Sequence, residues 1–223
     1  MRYSIFCILC LAFAGVFLYM ESKKKHLAAI CLKGLASSCF VLLGIFGSKH
    51  ATDTHTAQLV LTGLWLGLAA DILLNLRYFF QKNGQIPFLI GILVFLAGHV
   101  MYIIALIPKC RPLPICLVIG AVLTAVLIWW IFQRITAKPA FKIFGVFYLG
   151  AIMIMTSIAC GIFITAPSVF SGLFAVGALL FLASDIILIL NTFGSETKES
   201  MRIANIILYY TGQLLIAASM QFI

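Results

Sequence analysis

Apolar residues fill long runs along this chain, and polar residues gather in the short gaps between them. The runs cover about Tyr3 to Met20, His26 to Gly47, Thr56 to Phe79, Ile86 to Ile107, Leu113 to Phe132, Phe141 to Thr165, Val169 to Asn191 and Met201 to Phe222. A helix rising about 1.5 Å per residue needs roughly 20 residues to cross a hydrocarbon core of roughly 30 Å, and each run is close to that length. The pattern predicts an all-α integral membrane protein, with eight transmembrane helices in a single domain over residues 1–223. Pro, Gly, Ser and Lys punctuate the connectors. The first run is expected to stay in place as a span and not to be cleaved as a signal peptide, because Lys23, Lys24 and Lys25 follow it instead of preceding it.

Charge adds a direction. Of the 15 Lys and Arg, ten fall in the loops after the odd-numbered spans, whereas Arg2, Lys49, Lys109 and Arg111 fall on the other side and Lys33 lies inside the second span. By the positive-inside rule the odd-numbered loops face the cytoplasm and both termini lie outside, in a cell (inner) membrane. Composition agrees with the spans: 64% of residues are hydrophobic and 9% charged, against roughly a quarter charged in soluble domains. The net charge of +9 therefore reads as topology and contact with anionic lipid head groups, and not as a nucleic-acid surface. Most of the seven cysteines lie within apolar runs, where Cys acts as a small hydrophobe. Cys110 and Cys116 flank Pro112 and Pro114 in a loop, and their spacing leaves a disulfide open.

Two of the runs carry a carboxylate that an apolar helix has no evident use for. Gly63 to Leu76 holds Asp71, Gly177 to Leu190 holds Asp185, and the two stretches agree at eight of fourteen positions. The aspartates are 114 residues and four spans apart, so helices three and seven run in the same direction. The same offset sets His99, after Gly98, opposite Gln213, after Gly212. This register predicts a four-plus-four parallel internal repeat, with halves of about 1–108 and 109–223 related by an axis along the membrane normal.

Asp71 lies about 9 Å along its helix from Arg77, and Asp185 about the same distance from Asn191, so both acids are expected at one depth in the inner third of the bilayer. Lys33 reaches a similar level. A carboxylate in lipid costs a few kcal/mol or more, which predicts that each faces the bundle interior or a water-filled cavity with a partner. Two acids at one depth do not both ionise easily in a low-dielectric site. Gly63, Gly67, Asp71 and Asn75 recur every four residues and share one face of helix three. Among the other polar groups, Lys33 either snorkels to the head groups, binds a lipid phosphate or tunes an aspartate. His99 reads as a buried hydrogen-bonder more readily than as a ligand. Tyr102, Tyr148, Tyr209 and Gln213 are candidates for the cavity wall. A single intramembrane histidine argues against a metal centre, and no cofactor fingerprint is visible.

These residues resemble the YhhN-like family of membrane proteins, the lysoplasmalogenase family. The likeness rests on Lys33, Gly63 through Asp71, Phe95 through His99 with Tyr102, Tyr148 with Met155, Gly177 through Ser184 and Asp185 with Phe193, and Tyr209 and Tyr210 with Gln213. The chain departs from the family at Gly34, where Pro often follows the lysine, and at Ala70, where Gly often precedes the aspartate. The resemblance implies metal-independent hydrolysis of the vinyl ether bond of a lysoplasmenyl phospholipid, giving a fatty aldehyde and a glycerophospho-base. Protonation of the β-carbon, capture of the oxocarbenium ion by water and collapse of the hemiacetal need one carboxylic acid and one carboxylate, the roles expected of Asp71 and Asp185. Lys33, Asn75, His99, Tyr102, Tyr148, Ser184, Tyr209 and Gln213 are the expected supporting or substrate-binding residues, with Asn75 and Gln213 positioning water or the glycerol oxygen and Lys33 meeting the phosphate. The expected partners are a lysophospholipid substrate and membrane lipids, not nucleic acid. Two readings compete: a proton-coupled transporter using the buried acids, and an intramembrane aspartyl protease, whose Gly-x-Gly-Asp mark is absent here.

Overall fold

A computed structural model describes residues 2–80 and 84–223. Eight long helices make up the chain: α1 (Arg2–Ser22), α2 (His26–Gly47), α3 (Thr54–Leu76), α4 (Gln85–Leu106), α5 (Leu113–Phe132), α6 (Pro139–Thr165), α7 (Val169–Phe193) and α8 (Glu199–Ser219). All eight are long and apolar enough to cross a membrane. The chain is a multi-pass membrane protein.

Local chemistry sets the ends of several helices. Asp53 caps α3, its carboxylate accepting from the Thr56 amide at 3.0 Å, the Thr56 hydroxyl at 2.6 Å and the Lys109 ammonium at 2.8 Å. The Lys109 contact, with those from Thr56, holds the Asp53 carboxyl well below the usual carboxylate range. Ser168 and Ser171 form a reciprocal capping box at the start of α7, and Pro139 opens α6, where its missing N–H costs nothing. Helix α3 stops at Leu76, three residues before the expected Phe79. There the amides of Tyr78 and Phe79 turn back to the carbonyls of Asn75 and Leu76, tightening the chain out of the helix. Lys82, one of the two bases counted after the third span, lies outside the described residues.

Six helices close into a ring in the order α2, α3, α4, α6, α7, α8, with α1 packed outside on α2 and α8 and α5 packed outside on α6. Each contact within the first four helices has a counterpart in the last four: α1 with α2 and α5 with α6, α2 with α3 and α6 with α7, α3 with α4 and α7 with α8. Two glycine crossings repeat the same relation. A Cβ on Gly98 would lie 3.3 Å from the Gly63 carbonyl oxygen, and a Cβ on Gly212 would lie 2.8 Å from that of Gly177. Glycine at these four positions lets the backbones of α3 and α4 come close, and those of α7 and α8 closer than a Cβ would permit.

The odd helices end, and the even helices begin, at one end of the ring. That end carries Lys23, Lys24, Lys25, Arg77, Arg134, Lys138, Lys142, Lys198 and Arg202, and is called the basic end below. Towards the opposite end the ring is filled by buried Phe40, Leu43, Leu64, Tyr102, Leu106 and Phe174. Cys110 and Cys116 sit in contact there as free thiols, their sulfurs 3.7 Å apart, and burial pushes the Cys110 thiol up to about 11.

Candidate functional site

The polar residues of five helices meet inside the basic half of the ring. On α2, Lys33 and Ser37 are one turn apart and face α3. The Lys33 ammonium lies 3.1 Å from Oδ1 of Asp71, and the Ser37 hydroxyl donates to Oδ2 at 2.6 Å. From α8, the Tyr209 hydroxyl donates to the same Oδ2 at 2.5 Å. Asp71 is 1% exposed and is thus fully enclosed by one cation and two hydroxyls. Three strong partners offset the cost of holding this carboxylate away from water.

Asp185 on α7 is equally buried but differently held. The Tyr148 hydroxyl of α6 lies 2.6 Å from its Oδ2, and no cation is within ion-pair distance of it among the described residues. Asp71 and Asp185 line one cavity of about 60 Å³, together with Lys33, Asn75, Tyr148 and Tyr209. Asn75 presents an amide nitrogen with no hydrogen-bond partner among the described residues. The two carboxyl groups are therefore neighbours in one chamber and not on opposite faces of the bundle.

Arginines mark the mouth of the chamber. Arg202 of α8 pairs with Glu21 of α1, tying the outer helix to the ring. The Arg77 guanidinium is held between two rings, 4.6 Å from the centre of Tyr78 and 4.7 Å from that of Phe88, and donates to the Tyr78 hydroxyl at 2.6 Å. No carboxylate pairs with Arg77 among the described residues. Next to the polar chamber lies an apolar one of about 60 Å³, and the two share Leu74, Phe88, Phe95, Tyr148 and Leu188 as their common wall.

Other residues expected at the site lie one layer away. Tyr102 donates to Oε1 of Gln213 at 3.3 Å. The Tyr102 ring fills the space left by Gly63, and the Gln213 amide faces Gly67. The four-residue stripe on α3 therefore receives one side chain per turn: Tyr102 at Gly63, Gln213 at Gly67, then Tyr209 at Asp71. His99 donates from Nδ1 to the Phe95 carbonyl at 2.7 Å and is surrounded by the rings of Phe95, Tyr102, Tyr148 and Phe181. Neither His99 nor Tyr102 nor Gln213 lines the chamber. Ser184 is buried, and its carbonyl accepts from the Asn205 amide at 2.8 Å. The Lys33 ammonium pairs with Asp71, one of the roles its place in the second span left open.

Sequence reasoning missed Ser37, Arg77, Asn205 and Arg202. Ser37 is one turn after Lys33 and Asn205 one turn before Tyr209, so helical spacing carried a signal for both. The two arginines counted only as loop charges. Among the described residues no three of His, Cys, Asp and Glu gather as a set that holds a metal ion.

A model of the YhhN family matches residues 25–220. No curated protein and no solved structure matches the chain.

Proposed function

The chain belongs to the YhhN family, and from that premise we propose that it is a lysoplasmalogenase-type hydrolase, cleaving the vinyl ether of a lysoplasmenyl phospholipid in the chamber between α2, α3, α6, α7 and α8. The observation that carries this reading is the unequal pair of aspartates in one chamber. Asp71 is the carboxylate of an ion pair with Lys33, whereas Asp185 has a tyrosine hydroxyl and no adjacent cation. In a low-dielectric site such a pair holds one proton between them, and the cation fixes which partner goes without.

In this mechanism Asp185 gives its proton to the β-carbon of the vinyl ether. The C=C π electrons form the new C–H bond, and the positive charge spreads over the α-carbon and the ether oxygen. Asp71 faces that charge and stabilises it. A water held by Asn75 adds to the α-carbon and passes a proton back to the carboxylate pair, giving a hemiacetal. Collapse of the hemiacetal transfers the hydroxyl proton to the departing glycerol oxygen, breaks the C–O bond and releases aldehyde and alcohol. Water is consumed and the acid is regenerated. Arg77, sandwiched between Tyr78 and Phe88 at the mouth and free of a carboxylate partner among the described residues, is the cation for the phosphate of the head group, the role first expected of Lys33. The mouth faces the cytoplasm, as the loop charges imply.

Purified protein in detergent or nanodiscs, given lysoplasmenyl-ethanolamine, is expected to release fatty aldehyde. Asp71→Asn and Asp185→Asn are each expected to lower that rate by about a hundredfold or more. If both variants fold and either one works at the wild-type rate, the paired-acid mechanism is wrong.

A further inference from the structure

We propose that the apolar chamber beside the aspartates is the seat of the substrate's single hydrocarbon chain, and that Gly145 on α6 sets how much chain it admits. The inference rests on the lysolipid reading and gives that substrate a path. The chamber lies between α4, α6, α7 and the end of α5, and it is walled by Ile92, Ile131, Phe141, Leu188, Ile189 and Phe193.

The choice of occupant follows from the shared wall. Leu74, Phe88, Phe95, Tyr148 and Leu188 line both chambers, so a molecule in one continues into the other only if it is polar at one end and apolar at the other. Tyr148 stands at the junction, its hydroxyl on Asp185 and its ring on the apolar side. A bond located at Asp185 therefore has the polar mouth with Arg77 on one side and the apolar chamber on the other. A vinyl ether occupies that position in a lysoplasmenyl lipid, between head group and chain. One chamber fits one chain, which matches a lyso lipid and leaves a second chain without a seat.

Gly145 lines the chamber, and a Cβ built there meets nothing within 4 Å. A larger side chain at this position has open space to occupy and adds helix propensity to α6. Gly145→Phe is expected to reduce the ratio of turnover on a hexadecenyl substrate to that on a butenyl substrate by about tenfold or more, since a displaced chain pulls the reacting bond out of register. Ile143→Phe, at an exposed lipid-facing position two residues away, is expected to leave the ratio unchanged.

A second measurement does not depend on turnover. An ester-linked lysophosphatidylethanolamine with a mid-chain diazirine, photolysed on the wild-type protein, is expected to label Ile92, Phe141, Leu188 or Ile189, with less labelling in Gly145→Phe. Labels confined to outward-facing residues such as Ile143 and Phe147 overturn the inference, and so does an unchanged chain-length ratio in a folded Gly145→Phe protein. Chamber labelling by a protein that releases no aldehyde supports the chain seat and removes the vinyl ether chemistry. Aldehyde release with surface labels alone does the reverse.

Discussion

Two aspartates in register have unequal surroundings. Asp71 has a lysine and two hydroxyls, so deleting one hydroxyl leaves it well held, whereas Asp185 depends on the hydroxyl of Tyr148. Removing a hydrogen bond to a buried carboxyl costs about 1–3 kcal/mol when no water replaces it. Tyr148→Phe is therefore expected to slow aldehyde release by about tenfold or more, and Ser37→Ala by only a few fold. Steady-state rates for the two variants at equal folded concentration check this, and equal losses would mean that the hydroxyls are interchangeable. The aspartates, Tyr148, Tyr209 and Lys33 were legible in the sequence because a polar group in an apolar helix stands out by itself. Their pairing was not legible. The partner of Lys33 depends on how α2 is rotated against α3, and helices apolar on nearly every side have no polar face from which to read that rotation.

Helix positions and limits were the most legible part of the chain. Membrane thickness fixes the length of an apolar run, and α2, α5 and the start of α7 fall where the runs begin and end. The close crossings were less legible, because glycine is frequent in membrane helices and only some glycines touch another backbone. Gly177 and Gly212 do so reciprocally, each Cβ position lying 2.8 Å from the other's carbonyl oxygen. Gly212→Ala is therefore expected to destabilise the protein by about 1–3 kcal/mol, as overpacking does, by forcing α7 and α8 apart. Gly15→Ala on α1, where a Cβ meets nothing within 4 Å, is expected to leave stability unchanged or slightly raised. Thermal unfolding in one detergent followed by circular dichroism compares the two, and an unchanged midpoint for Gly212→Ala would show that the crossing has slack.

For the whole molecule, loop charge and cavity position point to the same end. The polar chamber is reached from the basic end, beside Arg77 and Arg202. With that end in the cytoplasm, a cysteine introduced at Ser195 is expected to resist a membrane-impermeant maleimide in intact cells, while one at Ala166 reacts. The reverse pattern would turn the protein over and place its chamber outside.

The ring is a cup, open at the basic end and filled at the other by Phe40, Leu43, Tyr102 and Phe174. A cup exchanges water and protons with a single compartment. In the proposed hydrolysis the proton given by Asp185 is returned to the carboxylate pair by a water that enters at the same mouth, so no charge is expected to move across the bilayer in a turnover. On that proposal the membrane potential neither drives the reaction nor holds it back, and aldehyde release is expected at the same pace in an energised membrane as in a collapsed one.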